Sequence, residues 1–213
     1  MSMKNIAIIT LIIVGISATI GCITKSSYKS EPMSSYYVAQ MPDNLLSNSI
    51  ERMKNELGDS GTILKVKAKK EQEFIFRRTK QCVTVVNVYK GENINPGDDI
   101  TIVAGNSGID FKCMQLDTGF ANAMIPGDEY LVFLDPQLDT LDKNERVFIT
   151  PNYLFATIFS CKQRENVIAI PESSENTYVP YLEVKDNEFF LMSQSGVDQM
   201  NNFKELILNK YSN

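Results

Sequence analysis

A chain of 213 residues without one histidine gives up most common nucleophile systems at once. Ser-His-Asp and Cys-His arrangements need an imidazole to take the proton, and the common catalytic zinc sites use it as a ligand. The run Gly58-Asp59-Ser60-Gly61 offers a serine but no base, so it reads as a loop between a helix and a strand. Ser26 and Lys29 have Ser-x-x-Lys spacing, yet they sit in a polar stretch where nothing would desolvate the lysine. Four acidic residues stand close together at Asp135, Asp139, Asp142 and Glu145. A calcium loop starting at Asp135 would need Asp or Asn third, Gly sixth and Glu twelfth. Gln137, Thr140 and Arg146 stand there instead. The loop is therefore expected to be solvated. A hydrolase using carboxylates of residues 135–145 stays as the alternative, because such pairing is spatial and not sequential. The absence of tryptophan removes the usual platform for stacking a sugar.

The four cysteines, Cys22, Cys82, Cys113 and Cys161, form no Cys-x-x-Cys pair. Neither a redox motif nor a zinc knuckle is indicated, and no metal or cofactor is expected. With 26 acidic and 21 basic residues the net charge is −5. There is no basic excess to neutralise phosphates, so nucleic acid is not an expected partner.

Cys22 stands at the end of an uncharged run, Asn5 to Thr24, that Lys4 precedes. Its core, IAIITLIIVGI over residues 6–16, has the layout of a secretory signal. About 20 uncharged residues are also enough for one membrane span. The run loses apolarity at Ser17, Ala18, Thr19 and Gly21, where a processing enzyme needs small side chains. Thr19-Ile20-Gly21-Cys22 resembles the lipobox of bacterial lipoproteins. That resemblance implies that residues 1–21 are a removed signal peptide and that Cys22 is lipidated, carrying acyl chains such as palmitate. The alternative is an uncleaved signal anchor over residues 5–24. Both readings put residues 25–213 outside the cytoplasm at the cell membrane. Two or three acyl chains hold a protein firmly, whereas one gives marginal binding.

Residues 22–42 read as the lipidated cysteine and a flexible Ser-rich tether. The folded domain is expected at 43–213. Leu46, Ile50, Met53 and Leu57 are spaced as one helical stripe, with Asp43 as cap and Gly58 as stop. Strands are expected over Ile63–Lys69, with Leu64, Val66 and Ala68 inward, and over Phe74–Arg78 and Cys82–Tyr89. More follow at Ile100–Ala104, Tyr130–Leu134, Val147–Thr150, Leu154–Cys161 and Val167–Ile170. Tyr181–Val184 and Phe189–Met192 flank a hairpin signal. A closing helix carries Val197, Met200, Phe203 and Leu206/Ile207, and Ser195 with Asp198 fits a capping box. Short strands at turn-marked intervals with a helix at each end predict a mainly β fold, a small antiparallel barrel with flanking N- and C-terminal helices.

Tyr89-Lys90-Gly91, Cys113, Gly127 with Tyr130-Leu131, and Cys161 fall in an order that resembles the netrin-like domain of tissue inhibitors of metalloproteinases. The resemblance implies an OB-like barrel. It also leaves Cys113 and Cys161 to each other or unpaired; the expectation is a Cys113–Cys161 bridge with Cys82 reduced. It does not carry the inhibitory device of that family. That device is a Cys-x-Cys start whose first residue chelates the protease zinc, and here Ile23-Thr24 follows Cys22. The expected function is that of a membrane-anchored extracytoplasmic lipoprotein. It would act without catalysis as a binding module for a protein or envelope ligand.

Overall fold

The computed structural model describes residues 3–27, 32–75, 77–142, 144–171 and 177–212. The chain divides into two compact units, Met1–Pro32 and Met33–Asn213.

The first unit is the helix α1 (Met3–Ser27). Ile6, Leu11, Ile13, Val14 and Ile20 are all at least half exposed along it. It is apolar on every side, so it has no stripe that a soluble core would cover. The window Lys4–Gly21 has a mean hydropathy of 1.8. Among the described residues this is the one helix long and apolar enough to cross a membrane, which fits a signal or an anchor. The hydroxyls of Thr10 and Thr19 donate to the carbonyls of Ile6 and Gly15 at 3.0 and 2.8 Å. Hydroxyls satisfied inside their own helix need no water, which an apolar medium demands. Cys22 lies within α1, and its side chain falls outside the described residues.

The second unit starts at Met33, inside the stretch expected to be tether. Residues 28–31 of that stretch lie outside the described residues. A short 3-10 turn at Met33–Ser35 leads into β1 (Tyr37–Ala39), and Tyr36, Val38 and Met41 are buried. A three-residue strand shows too little periodicity to be read, yet Val38 and Met41 are core residues.

Next come α2 (Asp43–Glu56), β2 (Thr62–Ala68), β3 (Glu73–Ile75) and β4 (Arg78–Lys90). The strands β5 (Asp99–Val103), β6 (Gly108–Asp110), β7 (Gln115–Asp117) and β8 (Glu129–Leu134) follow. After β9 (Val147–Ile149), β10 (Ile158–Ser160) and β11 (Tyr178–Pro180), the chain ends in α3 (Tyr181–Val184) and α4 (Gln194–Lys210).

Among the described residues there are two sheets. The larger runs β10-β8-β2-β4-β5-β9, with β3 paired to β4; the smaller runs β11-β1-β7-β6. The pairings are antiparallel except β5 with β9 and β1 with β7. The architecture is thus sheet-rich and mixed, with flanking helices. In the ladder, β9 and β10 are the two ends of an open, curled sheet. Register shifts between Ile63 and Leu64 and between Lys65 and Val66 sharpen the curl, because each bulge adds local twist.

The period-two reading of β2 holds: Leu64, Val66 and Ala68 are buried while Lys67 is exposed. The strands of the larger sheet feed two cores. Tyr130, Val132 and Leu134 of β8 join Leu64, Val66, Val83, Val85, Ile100 and Ile102 inside the curl. Leu131 and Phe133 face the other way and meet the stripes of α2 and α4 through Leu46, Ile50, Met53, Val197, Met200 and Phe203. A third core under the smaller sheet holds Tyr36, Val38, Leu116, Val179 and Phe190.

Several expected strands are absent or changed. Tyr181–Val184 is a helix that starts directly after Pro180. Proline before the first helical turn supplies no donor there and loses nothing. Phe189 and Leu191 make only isolated bridges, to Ala121 and Met41. Residues 167–170 form no strand. The cap of α4 is Ser193, whose hydroxyl accepts from the Gly196 N–H at 2.9 Å, in place of Ser195. Ser193 also donates to the Asp43 carboxylate at 2.7 Å, so one hydroxyl joins the starts of α2 and α4.

Candidate functional site

The acidic stretch singled out in the sequence borders a broad groove of the folded unit. This groove has a volume of about 670 Å³ and lies where three chain connections meet at one end of the larger sheet. Gly61 and Thr62 enter β2, Glu92 and Asn93 leave β4, and Pro136, Gln137, Leu138 and Asp139 leave β8. Phe148 of β9 forms the floor.

Local chemistry explains each connection. A Cβ on Gly61 would stand 2.7 Å from Cδ of Pro136, so only glycine lets these two connections touch. Asn93 holds a left-handed conformation at φ 54, which asparagine tolerates better than most residues. The Arg146 guanidinium ties two of the connections together. It donates to the Asp98 carboxylate at 2.5 Å and to the Asn93 carbonyl. Asp98 also accepts from the Asn95 N–H at 2.8 Å. That backbone bond, followed by Arg146, holds the Asp98 carboxyl below its ordinary value.

The loop between β8 and β9 is closed on itself. The Asp135 N–H donates to the Ile149 carbonyl at 3.0 Å, and the Leu138 N–H donates to the Val147 carbonyl at 2.8 Å. The Thr140 hydroxyl bonds the carbonyls of Asp142 and Glu145, and the Asp142 carboxylate accepts from the Asn144 N–H at 2.9 Å. Asp139, Asp142 and Glu145 are exposed and Asp135 is half-buried. Among the described residues no three His, Cys, Asp or Glu side chains form a group that could hold a metal.

Ser60 is buried, and its hydroxyl has no protein partner. It follows a 3-10 turn at Leu57–Asp59 and precedes β2, which is the helix-to-strand loop expected from GDSG.

Cys82, Cys113 and Cys161 are free thiols. The expected Cys113–Cys161 bridge is not formed in this structure. Cys113 occupies the exposed turn between β6 and β7 in the smaller sheet, while Cys161 directly follows β10 at the end of the larger one. Barrel neighbours could have been bridged, but these positions belong to different sheets. Cys161 lines a hollow of about 210 Å³ with Lys65, Tyr89, Leu131 and Tyr211. Cys161 is exposed as a whole, and partial desolvation in this hollow raises its thiol pKa against the pull of Lys65.

Sequence reasoning also missed a buried ion pair. Lys204 of α4 donates to Glu188 at 2.5 Å and to the Lys162 carbonyl at 2.7 Å. The other oxygen of Glu188 accepts from the Ser160 N–H of β10 at 2.8 Å. Lys204 and Glu188 are both about 95 % buried, with side chains only 5 and 6 % exposed. Burial pushes the Glu188 carboxyl above its ordinary value in spite of Lys204. Position 204 falls next to Phe203 in the helical stripe, and only a lysine at the edge of an apolar face hints at such a pair.

Comparison with known protein families finds no family that matches this chain. No curated protein matches it either.

Proposed function

We propose that this chain is a membrane-anchored extracytoplasmic lipoprotein, held through acylated Cys22. Its folded unit would act as a non-catalytic binding module for a protein or envelope ligand. The observation that carries the binding reading is the groove between residues 61–62, 92–93 and 136–139. It is open, it is built from backbone-rich turns, and its acidic groups are the side chains of Glu92 and Asp139 from separate connections. A hydrolytic pair needs a carboxyl shielded from water so that its proton is held near neutral pH. The exposed carboxylates of residues 139–145 have no such shield.

The folded unit reads as an OB-like barrel. In support, β2 pairs with β4 and β8, β4 pairs with β5, and β5 runs parallel to β9. The two backbone bonds from Asp135 and Leu138 to Ile149 and Val147 join the end of β8 to β9. That contact brings the end of β8 beside β9 and supports the barrel reading, while the ladder itself stays open. The larger connections of such barrels are ligand-binding surfaces, and the groove is made of them.

The test is capture of envelope proteins on the full chain in lipid vesicles, comparing the wild type with Leu138→Glu. Leu138 is exposed at the groove, so the change should leave the fold intact and remove the captured partner. Capture unchanged by Leu138→Glu refutes the groove reading. Cys22→Ala should abolish incorporation of labelled palmitate. A wild type that takes up no label and keeps residues 1–21 refutes the lipoprotein reading in favour of the signal anchor.

A further inference from the structure

Among the described residues, seven buried side-chain polar atoms have no protein partner. Three of them, Gln72 Oε1, Thr79 Oγ1 and Thr118 Oγ1, belong to residues that line one small cavity. Thr79 is 1 % exposed and Thr118 is 7 % exposed. Two other polar side chains on the same wall are fully used. Gln81 donates to the carbonyls of Lys70 and Met124 and accepts from the Met124 N–H. Asn122 donates to the carbonyls of Lys185 and Asn187 and accepts from the Ala123 N–H and the Tyr181 hydroxyl. The fold thus satisfies the amides of Gln81 and Asn122 and leaves one acceptor and two hydroxyls on residues around a common cavity.

The volume open to a small molecule is about 30 Å³. A cavity needs about 10–15 Å³ by this measure to hold one water, and a buried water makes about three hydrogen bonds. The space is too small for any organic ligand. Its chemistry is right for a water: the Gln72 carbonyl accepts only, and each threonine hydroxyl can donate or accept.

We propose that this cavity is a binding site for an ordered internal water. The water donates to Gln72 Oε1 and to one threonine hydroxyl, and accepts from the other. Its place in the fold gives it a structural task. Thr79 belongs to β4 of the larger sheet. Thr118 directly follows β7 of the smaller sheet. The water therefore adds a link between the two sheets beside the Thr79 N–H to Ser107 Oγ bond of 3.2 Å, at the stretch 118–124 that leads back to β8.

The test is ¹⁷O relaxation dispersion of water on the detergent-solubilised full chain, which counts long-lived internal waters. The wild type should hold one more such water than the Thr79→Val/Thr118→Val double variant. Equal counts overturn the proposal. Folding equilibria give an independent sign. Valine keeps the shape of threonine but removes a partner of the water. Thr118→Val alone should thus lower the folding equilibrium constant roughly tenfold, as leaving buried groups unsatisfied does. In a dry cavity the same change would delete an orphaned hydroxyl and raise that constant, which also overturns the proposal. Thr118→Ser keeps the hydroxyl and should keep the water; loss of the water in the serine variant refutes the assigned contacts. If the double variant does not fold, Thr118→Val and Thr118→Ser are compared in the same way.

Discussion

In the larger sheet β4 runs for 13 residues, β2 for 7 and β8 for 6. In the smaller sheet every strand has three residues. In the larger sheet β3 with β4 and β4 with β5 are successive neighbours, and β2 and β8 pair over six positions although residues 69–128 lie between them. The smaller one brings Tyr37–Ala39 against Tyr178–Pro180 across most of the chain. Long strands carry many ladder bonds and two packed faces, so each is specified by its own pattern. Three-residue strands close large loops for few bonds, and closing a long loop has an entropy cost that local contacts do not refund. The smaller sheet is held chiefly by its buried side chains, such as Val38, Leu116, Val179 and Phe190. The segment Phe189–Leu191 stitches the two regions together. Phe189 and Leu191 point to the helix-covered core and Phe190 to the core of the smaller sheet.

The strongest way to break that seam is at the ion pair beside it. Lys204→Met leaves the Glu188 charge buried without its partner and should cost about 3–5 kcal/mol. The double variant with Glu188→Leu should recover much of the loss, and chemical denaturation of the three chains checks this. The pair also has a pH signature. Glu188 titrates above its ordinary 4.5 because of burial, so the folded chain binds that proton more tightly than the unfolded one. Its contribution is full below pH 4.5 and is lost as pH rises through the folded value. Glu188→Gln should flatten this slope in stability measured against pH.

A matched pair of truncations sharpens the contrast between the sheets. Leu131 and Leu116 are both buried, one in each region. Either change to alanine should cost about 2–5 kcal/mol. Native-state hydrogen exchange should separate them. The amide of Tyr37, bonded to the Met114 carbonyl in the smaller sheet, should exchange through a lower-energy opening than those of Val66 and Val85. Equal protection would mean that the two sheets open as one.

Thiol labelling compares the same regions chemically. Denatured without reductant, the chain should label at Cys82, Cys113 and Cys161, since all three are free. Both Cys113 and Cys161 are exposed; in the folded protein Cys113 should react before Cys161, because partial desolvation raises the Cys161 pKa and the thiolate is the reactive form. A protected Cys113–Cys161 pair would refute the placement of these residues on separate sheets.

The smallest effect is expected on the exposed side of α2. Arg52 pairs with Glu56 one turn on at 3.0 Å, with both side chains about half exposed. Glu56→Gln should cost about 0.3–0.5 kcal/mol, at the edge of what denaturant titration resolves. A larger loss would mean that α2 depends on its surface more than on Leu46, Ile50 and Met53.

Periodic segments were legible because their own residues carry the signal. The stripes of α2 and α4 and the alternation in β2 reappear as buried faces. The apolar run before Cys22 reads as a signal or an anchor from composition alone, and α1 bears out its helical, uncovered character. The acidic loop was legible as exposed, because acidic side chains clustered between turn residues are cheapest in water. The groove was not legible. Gly61, Asn93 and Leu138 are far apart in the chain, and only the curl of the sheet brings them to one rim.

The sequence by itself determined where α2, α4 and the long strands form, which faces they bury, and that histidine-based chemistry is impossible here. Those are local or compositional properties, decided by spacing and residue type. The tertiary structure alone decided that Met33–Ala39 belongs to the folded unit, that Tyr181–Val184 is helical, and that Cys113 and Cys161 stand apart. It also decided that Lys204 finds Glu188. Each of these depends on which distant segment lies alongside, and short strands, single charges and single thiols carry too little pattern to name their partners.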